Sequence, residues 1–337
     1  MVSIVVLMSP SSEGARPNPT VQLLEDSLPE FITVRGFSWK RALSGGYDLL
    51  HVHWPDALVR SRGSAKTLAT QTLLVVLLVR LALLRVPLVW TVHNRSPHEA
   101  VTRREAALLR LFEASCSARV FMFPSAIADA REARDVLIPR GDYEPSFARY
   151  RVEPRGPHRR SLAIVGQLRE YKGIESFISS LGSDPPGGPW SLVIAGEAHP
   201  SYAVDELRRL AKATAGVTLM EGFQPDERLA ALVRESAAVV LPYPEMYNSG
   251  VALLSLTLGV PVVVTDSPTM RDLREEVGES WVRLLPQRWR PPDWEQLAAW
   301  LDEEREGRPA MPDRDWSVVG ARYAELYRQL MSASRNR

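Results

Sequence analysis

Ala238-Val239-Val240-Leu241 leads into Pro242-Tyr243-Pro244-Glu245-Met246-Tyr247-Asn248-Ser249-Gly250, then through the apolar stretch Val251–Leu258 to Gly259-Val260-Pro261-Val262. The order is strand, turn, helix, strand. A short apolar run without polar alternation suits a strand of a parallel sheet covered on both faces, and parallel strands need a crossover helix between them. The turn also carries chemistry. A helix start with small residues aims free backbone N–H groups and the positive end of the helix dipole at one point, which suits a diphosphate. Ser249 would also cap the helix, and the two roles coexist.

The same unit repeats on both sides. Leu162–Val165, Leu192–Ala195, Val217–Leu219 and Pro261–Val264 are the other predicted strands of the second half, with helices at 173–181, 203–212, 225–235, 249–258 and 267–276. In the first half Ile4–Met8, Phe31–Val34, Leu49–Val52, Leu88–Val92 and Val120–Phe123 alternate with helices at 21–28, 66–84, 103–114 and 126–136. Residues 140–160 break the pattern with Pro, Gly and Arg and read as a linker. The fold class is α/β, with two Rossmann-like doubly wound domains at residues 1–150 and 151–315. Ligands of open parallel sheets bind beyond the carboxyl ends of the strands, so two facing domains would place the site in a cleft between them.

A chain of 337 residues, 45% hydrophobic and 24% charged, supports two cores and excludes disorder, collagen and coiled coil. Cys116 is the one cysteine, which excludes an intrachain disulfide and a cysteine-built zinc site and fits a reducing compartment. The net charge of +1 divides into +4 for residues 1–150 and −3 for 151–337. No nucleic-acid partner is expected from so even a distribution, whereas a mildly basic first half suits phosphates or lipid headgroups. Met1–Met8 lacks a basic flank and reads as the first strand, not a signal peptide. The longest apolar stretch, 72–90, is broken by Arg80, Arg85 and Pro87 and falls short of the roughly 20 apolar residues a spanning helix needs. With Arg60, Arg62 and Lys66 ahead of it, the helix would rest on an anionic membrane; burial on both sides in a parallel fold yields the same run, and that reading is preferred.

The strand ends nominate the rest of the site. Leu162–Val165 runs into Gly166-Gln167-Leu168-Arg169-Glu170-Tyr171-Lys172-Gly173, a loop that opens a helix. Arg169 and Lys172 would neutralise a pyrophosphate as its bond breaks; the alternative is a solvated loop. Glu197 ends the next strand and Gly222-Phe223 the one after, where glycine permits close backbone approach. Phe223 offers a face to a nucleobase, although a turn with a core aromatic is the more common reason for Gly-Phe after a strand. In the first half, Asp48-Leu49-Leu50-His51-Val52-His53-Trp54-Pro55-Asp56 and Trp90-Thr91-Val92-His93-Asn94 each end a strand with histidine, placed for acid–base work or for sugar hydroxyls. The loop Gly14–Pro19 after the first strand would line the same face.

Together these residues resemble the GT-B glycosyltransferases, two-domain enzymes that move a sugar from a nucleotide diphosphate. The resemblance covers nearly the whole chain. Gly166-Gln167-Leu168 with Lys172-Gly173, the Gly222-Phe223 turn and Gly259-Val260-Pro261-Val262 match the second domain in order and spacing, and Trp316-Ser317-Val318-Val319 with Tyr323 and Tyr327 is similar to the family's last helix. It implies that residues 316–337 cross back to the first domain. It also implies that Gln167, Arg169, Lys172, Glu197, Gly222, Phe223, Glu245, Asn248, Ser249, Gly250 and Val251 bind the donor, and that Gly14, Asn18 and His53 meet the sugar or the acceptor.

Two departures matter. Retaining members carry Arg where this chain has Gln167, and a glutamate, five residues before Gly259, where it has Leu254; Glu245 stands one position off the first of their paired acidic residues. His51-Val52-His53-Trp54-Pro55, Thr91-Val92-His93-Asn94 and Asn248-Ser249-Gly250 are instead similar to bacterial GDP-mannose:glycolipid beta-mannosyltransferases of exopolysaccharide assembly, which invert the anomeric centre. The resemblance implies transfer of a hexosyl group, mannosyl from GDP-mannose, to a glycan or glycolipid by inversion, without metal or cofactor. The enzyme would be cytoplasmic and peripheral on the inner face of the plasma membrane. Inversion needs a base for the acceptor hydroxyl, and Asp56, His93 and Glu13 are the candidates in that order. A retaining transferase using a UDP-sugar, a nucleotide-sugar-binding protein without catalysis and a nucleotide-sugar epimerase stay open.

Overall fold

The computed structural model describes residues 3–10, 18–61, 63–94, 102–128, 132–150, 158–181, 190–285 and 291–335; Glu13, Gly14 and Arg62 therefore lie outside the described residues. The chain forms two compact units, residues 1–141 with 312–337, and residues 142–311.

The first unit carries six parallel strands: β1 (Ile4–Ser9), β2 (Ile32–Gly36), β3 (Leu49–Val52), β4 (Leu88–Thr91), β5 (Ala118–Phe121) and β6 (Asp135–Leu137). Their order is β2-β1-β3-β4-β5-β6, so the winding reverses between β1 and β3, where the loops after the strands splay apart and leave room for a ligand. Leu50 and Val52 of β3 are fully buried against Leu74, Leu77, Leu78 and Leu81 of the helix Ser64–Leu83 and Phe112 of the helix Arg103–Ser115. The latter helix starts with a reciprocal cap in which Thr102 Oγ1 accepts from Glu105 N and Glu105 Oε2 accepts from Thr102 N. The last helix, Trp316–Arg335, belongs to this unit and packs beside the helix Pro19–Ser27, with Tyr323 and Tyr327 buried.

The second unit carries β7 (His158–Val165), β8 (Ser191–Gly196), β9 (Val217–Glu221), β10 (Ser236–Leu241), β11 (Val262–Thr265) and β12 (Val282–Leu285), again all parallel. The order β12-β11-β10-β7-β8-β9 puts its switch point between β7 and β10. Trp294 anchors this core with its ring 5.7 Å from Phe177 and 5.1 Å from Trp190.

Several sequence readings need correction. Residues 126–136 are not one helix: a short helix, Pro124–Ala128, is followed by β6. That edge strand is held by a tertiary partner, since buried Arg119 on β5 donates to both carboxylate oxygens of Asp135 at 2.7 and 2.9 Å. An outer strand of the second sheet, β12, is four residues long and equally unsignalled. The stretch taken as linker contains the helix Glu144–Phe147 and a helical turn at Ala148–Tyr150, both within the second unit, where Arg234 Nη1 caps the Tyr150 carbonyl at 2.9 Å.

The helix Ser64–Leu83 overturns two expectations. It begins well before residue 72 and reaches 20 residues, so by length and composition it is long and apolar enough to cross a membrane. Yet only one face enters the core, through Gln71, Leu74, Leu77, Leu78 and Leu81, with Gln71 Nε2 donating to the Val59 carbonyl at 3.1 Å. Leu68, Val75, Val76, Val79 and Leu83 are exposed, so burial on both sides does not hold.

Candidate active site

In the second unit, the turns after β7 and β10 meet at the switch point. Gly166 follows β7 with φ +93°, and a Cβ there would lie 3.3 Å from Val251 Cγ2 and 3.8 Å from Lys172 Nζ. Gly196 at the end of β8 is pressed against it, since a Cβ would come within 2.0 Å of the Gly166 carbonyl oxygen. Glycine is required at both places because the backbone itself forms the floor. Gly166, Lys172 and Val251 at the helix start are thus brought together.

Lys172 is buried, and its ammonium sits 5.2 Å from the centre of the Tyr243 ring. Among the described residues no carboxylate pairs with it. Burial, and secondarily the Arg169 charge, depress its pKa from 10.5 to about 8. Tyr243 is held as a neutral phenol by burial and by Tyr171, whose ring meets it edge-on at 5.9 Å. Ser249 Oγ accepts from Ala252 N at 3.3 Å and caps the helix Gly250–Thr257. The result is a positive, partly desolvated site made of one ammonium, an aromatic wall and a capped helix start, fit for a diphosphate.

The remaining predicted donor residues are placed in different ways. Gln167 Oε1 accepts from Arg169 Nε at 2.8 Å and so orients the second cation. Glu197 follows β8 at the surface, and its carbonyl accepts from Leu168 N at 2.8 Å. Gly222 follows β9 with φ +110°, and Phe223 is 62% exposed, which removes its reading as a core aromatic. Asn248 is half-buried on the turn, whereas Glu245 is exposed. Tyr243, two residues beyond its strand as His93 is beyond β4, is the participant that sequence reading passed over.

In the first unit, His51, His53 and His93 are all buried at the carboxyl ends of β3 and β4. His53 Nδ1 and His93 Nε2 share a hydrogen bond of 2.9 Å, and the Trp54 ring stacks on His93 at 4.4 Å. His51 Nε2 bonds Thr91 Oγ1 at 2.8 Å, Thr91 Oγ1 bonds Tyr323 OH at 2.9 Å, and Tyr327 OH bonds His51 Nδ1 at 2.7 Å. His51 is therefore committed to the last helix, and the pair left for chemistry is His53–His93. Burial, with Arg140 contributing at both, depresses the pKa of His53 to about 3 and that of His93 well below the ordinary histidine range. Both rings are neutral at neutral pH, and neither favours becoming imidazolium.

Asp56 lies in the helical turn Pro55–Leu58 immediately after β3 and is half-buried. Its carboxylate is tied to no other described residue. Asn18 caps the helix Pro19–Ser27, its Oδ1 accepting from Thr20 N at 3.0 Å, so that oxygen is already spent. Among the described residues, no group of three or more His, Cys, Asp or Glu side chains could hold a metal ion.

A family model described as "Glycosyl transferases group 1" matches residues 159–299. A "GDP-mannose:glycolipid 4-beta-D-mannosyltransferase" of Xanthomonas campestris pv. campestris (strain ATCC 33913) is 33% identical over 332 residues, covering 96% of this chain and 92% of the relative. A second relative of that name, from Xanthomonas campestris pv. campestris, is 32% identical over 328 residues with the same coverages. The chain belongs to the group 1 glycosyltransferases. Two solved structures share its GT-B fold: sucrose-phosphate synthase from Thermosynechococcus elongatus, with TM-score 0.61, 14% identity and coverage of 98% of this chain and 100% of that one, and Anabaena HepE in complex with UDP, with 0.62, 16%, 97% and 100%.

Leu254 stands where the sequence analysis noted the missing glutamate. Leu254 is buried in an apolar helix and offers no polar group to a ribose. The burial of Lys172 has a testable consequence. The unfolded chain binds more protons than the folded one between about pH 8 and 10.5, so the ligand-free fold gains stability across that window. A diphosphate bound beside it would favour the ammonium, so that binding would take up protons and weaken as pH rises. Affinity for a nucleoside diphosphate should fall, at most roughly tenfold per pH unit, from about pH 8 upward. Isothermal titration calorimetry in buffers of different ionisation enthalpy reads both effects; a flat affinity to pH 9.5 would remove Lys172 from the phosphate site.

Proposed function

We propose that the transferase moves a mannosyl group from GDP-mannose to a glycan or glycolipid acceptor, with inversion and without metal or cofactor. The observation that carries the reading is the buried Lys172 ammonium, set against Tyr243, Gly166 and the Ser249-capped helix at the switch point. A cation and helix N–H groups stabilise a departing diphosphate as a metal would, which supports metal-free cleavage. Arg169, held by Gln167, is the second cation, with Glu197, Asn248, Gly250 and Val251 around it; Gly222 and Phe223 are assigned to the nucleoside and Glu245 to the sugar. The names of the two relatives support the donor and the glycolipid.

Asp56 is assigned as the base. A carboxylate can accept the hydroxyl proton as the new glycosidic bond forms, whereas His93 is disfavoured as a cation by burial, His53 and Arg140. His53 and His93 are then sugar or acceptor contacts. Peripheral attachment to the inner face of the plasma membrane is supported by the exposed apolar side of the Ser64–Leu83 helix, whose other side is fixed in the core.

The test supplies GDP-mannose and a short water-soluble glycoside and determines the anomeric configuration of the product by NMR. A β-mannoside, formed equally well with EDTA, is expected. An α-linked product would establish a retaining enzyme. Donor binding without product would make the chain a binding protein, and conversion of the donor without acceptor an epimerase. A melting shift with UDP and none with GDP would replace the donor.

A further inference from the structure

His53 and His93 share one hydrogen bond, Nδ1 to Nε2 at 2.9 Å, and its hydrogen can come from either side. A neutral imidazole has one N–H and one bare nitrogen, so the choice at the shared bond fixes the state of both outer nitrogens. If His93 Nε2 donates, the hydrogen of His53 must sit on Nε2, and His93 Nδ1 is bare. If His53 Nδ1 donates, His53 Nε2 is bare, and His93 Nδ1 carries an N–H.

The surroundings of His53 Nε2 decide between the two. That atom is buried and has no hydrogen-bond partner among the described residues. His51, whose ring lies 4.4 Å from that of His53, cannot serve, because Tyr327 OH is bonded to its Nδ1 and Thr91 Oγ1 to its Nε2. Arg140, whose charge acts on both rings of the pair, has no lone pair to receive a hydrogen and opposes any gain of positive character there. A hydrogen on His53 Nε2 would therefore be a buried donor with nothing to receive it. Folded proteins leave a buried acceptor short more readily than they strand a buried N–H, so Nε2 is the bare nitrogen. His93 Nδ1 also has no partner among the described residues, but it is not fully enclosed. With Nε2 bonded to His53 and the Trp54 ring stacked on the face of His93, Nδ1 is the nitrogen of the pair left for a ligand.

We propose that His53 is a positioning residue that locks His93 in the Nδ1–H tautomer, so that His93 meets the sugar or the acceptor as a hydrogen-bond donor to one of its oxygens. This rests on the contact role proposed above and divides it: His93 makes the contact, and His53 sets its polarity. A substrate that presents a lone pair there is accepted, and one that presents an ammonium, as an amino sugar would, is turned away. The same polarity removes His93 from proton abstraction, since its Nε2 is occupied and its Nδ1 has no lone pair to offer. The base role is left to Asp56.

The experiment is nitrogen NMR of the intact protein carrying isotope-labelled histidine, at neutral pH and without substrate; the chain's six histidines are few enough to assign by single replacements. His53 and His93 should both hold their hydrogen on Nδ1, against the Nε2–H form that an unconstrained neutral imidazole prefers. His53→Asn keeps an amide N–H where Nδ1 stood and should preserve the His93 tautomer and both KM values. His53→Leu removes the donor; it should return His93 to the Nε2–H form and raise KM for GDP-mannose or for the water-soluble glycoside by roughly five- to tenfold, with kcat changed less. A hydrogen on His93 Nε2 in the intact protein overturns the proposal and needs no variant, so the test stands even where His53→Leu does not fold. An Nδ1–H that persists in His53→Leu overturns the role of His53, and a changed tautomer with both KM values unchanged overturns the substrate contact. The spectrum is read without turnover. Absence of product from the intact protein would instead overturn the transferase reading, with the tautomer still measured.

Discussion

Replacing Lys172 with Met is expected to weaken GDP-mannose binding by roughly a hundredfold, about 2–3 kcal/mol, while the melting temperature stays unchanged or rises. The two halves of this result have one cause. In the ligand-free fold the ammonium is buried against the Tyr243 ring with no carboxylate partner among the described residues, and burial pulls its pKa to about 8. A charge held this way costs folding energy, and an apolar side chain of similar length removes that cost. A diphosphate supplies the missing counter-charge in a site already stripped of water, where a charge-assisted hydrogen bond is worth more than at the surface. Calorimetry with GDP-mannose and a thermal melt of the same two proteins measure both halves. Wild-type affinity in the variant would sink the assignment, and a large drop in melting temperature would show that Lys172 holds the fold rather than the donor.

Asp56→Asn should lower kcat by roughly 10²- to 10⁴-fold with KM for the donor little changed, the range for removal of a positioned general base. The substitution keeps size and hydrogen bonding and removes the lone-pair charge that accepts the proton. His93→Gln should act differently. Its ring is stacked on Trp54 and bonded through Nε2 to His53 Nδ1, so its loss disturbs a contact surface and should appear in KM more than in kcat. Steady-state kinetics of the two variants decide between them. If His93→Gln abolishes kcat and Asp56→Asn leaves it within tenfold of the intact enzyme, the base is His93, working against its buried neutral state.

Much of the fold was legible because its strands announce themselves as uninterrupted apolar runs. Val6, Leu50, Val89 and Val120 in the first sheet, and Leu162, Ile194, Val239 and Val263 in the second, are almost wholly buried, the pattern of strands covered on both faces. The strands that escaped reading were outer ones. β6 is three residues long and owes its place to the Arg119–Asp135 pairing, between residues 16 positions apart that no local pattern relates. The site was legible in part for a similar reason. Lys172, Ser249 and Gly166 stand at strand ends and helix starts, positions visible in one dimension, whereas the wall that Tyr243 forms beneath the ammonium depends on two turns meeting across the sheet.

By itself the sequence determined the alternation of strands and helices, the strand-end placement of the chemistry-bearing residues and the resemblance that named the reaction class, because these are properties of spacing and residue type. Tertiary structure alone decided which histidine is committed elsewhere, since His51 is claimed by Tyr327 from 276 residues away, while His53 and His93 hold each other. It also decided the state of Lys172, because a pKa answers to burial and neighbouring charge and not to motif. The Ser64–Leu83 helix shows the same division. Its composition permits a buried, a spanning or a surface-lying helix, and only the packing of Leu74, Leu77, Leu78 and Leu81 into one core determines which side is left for another surface.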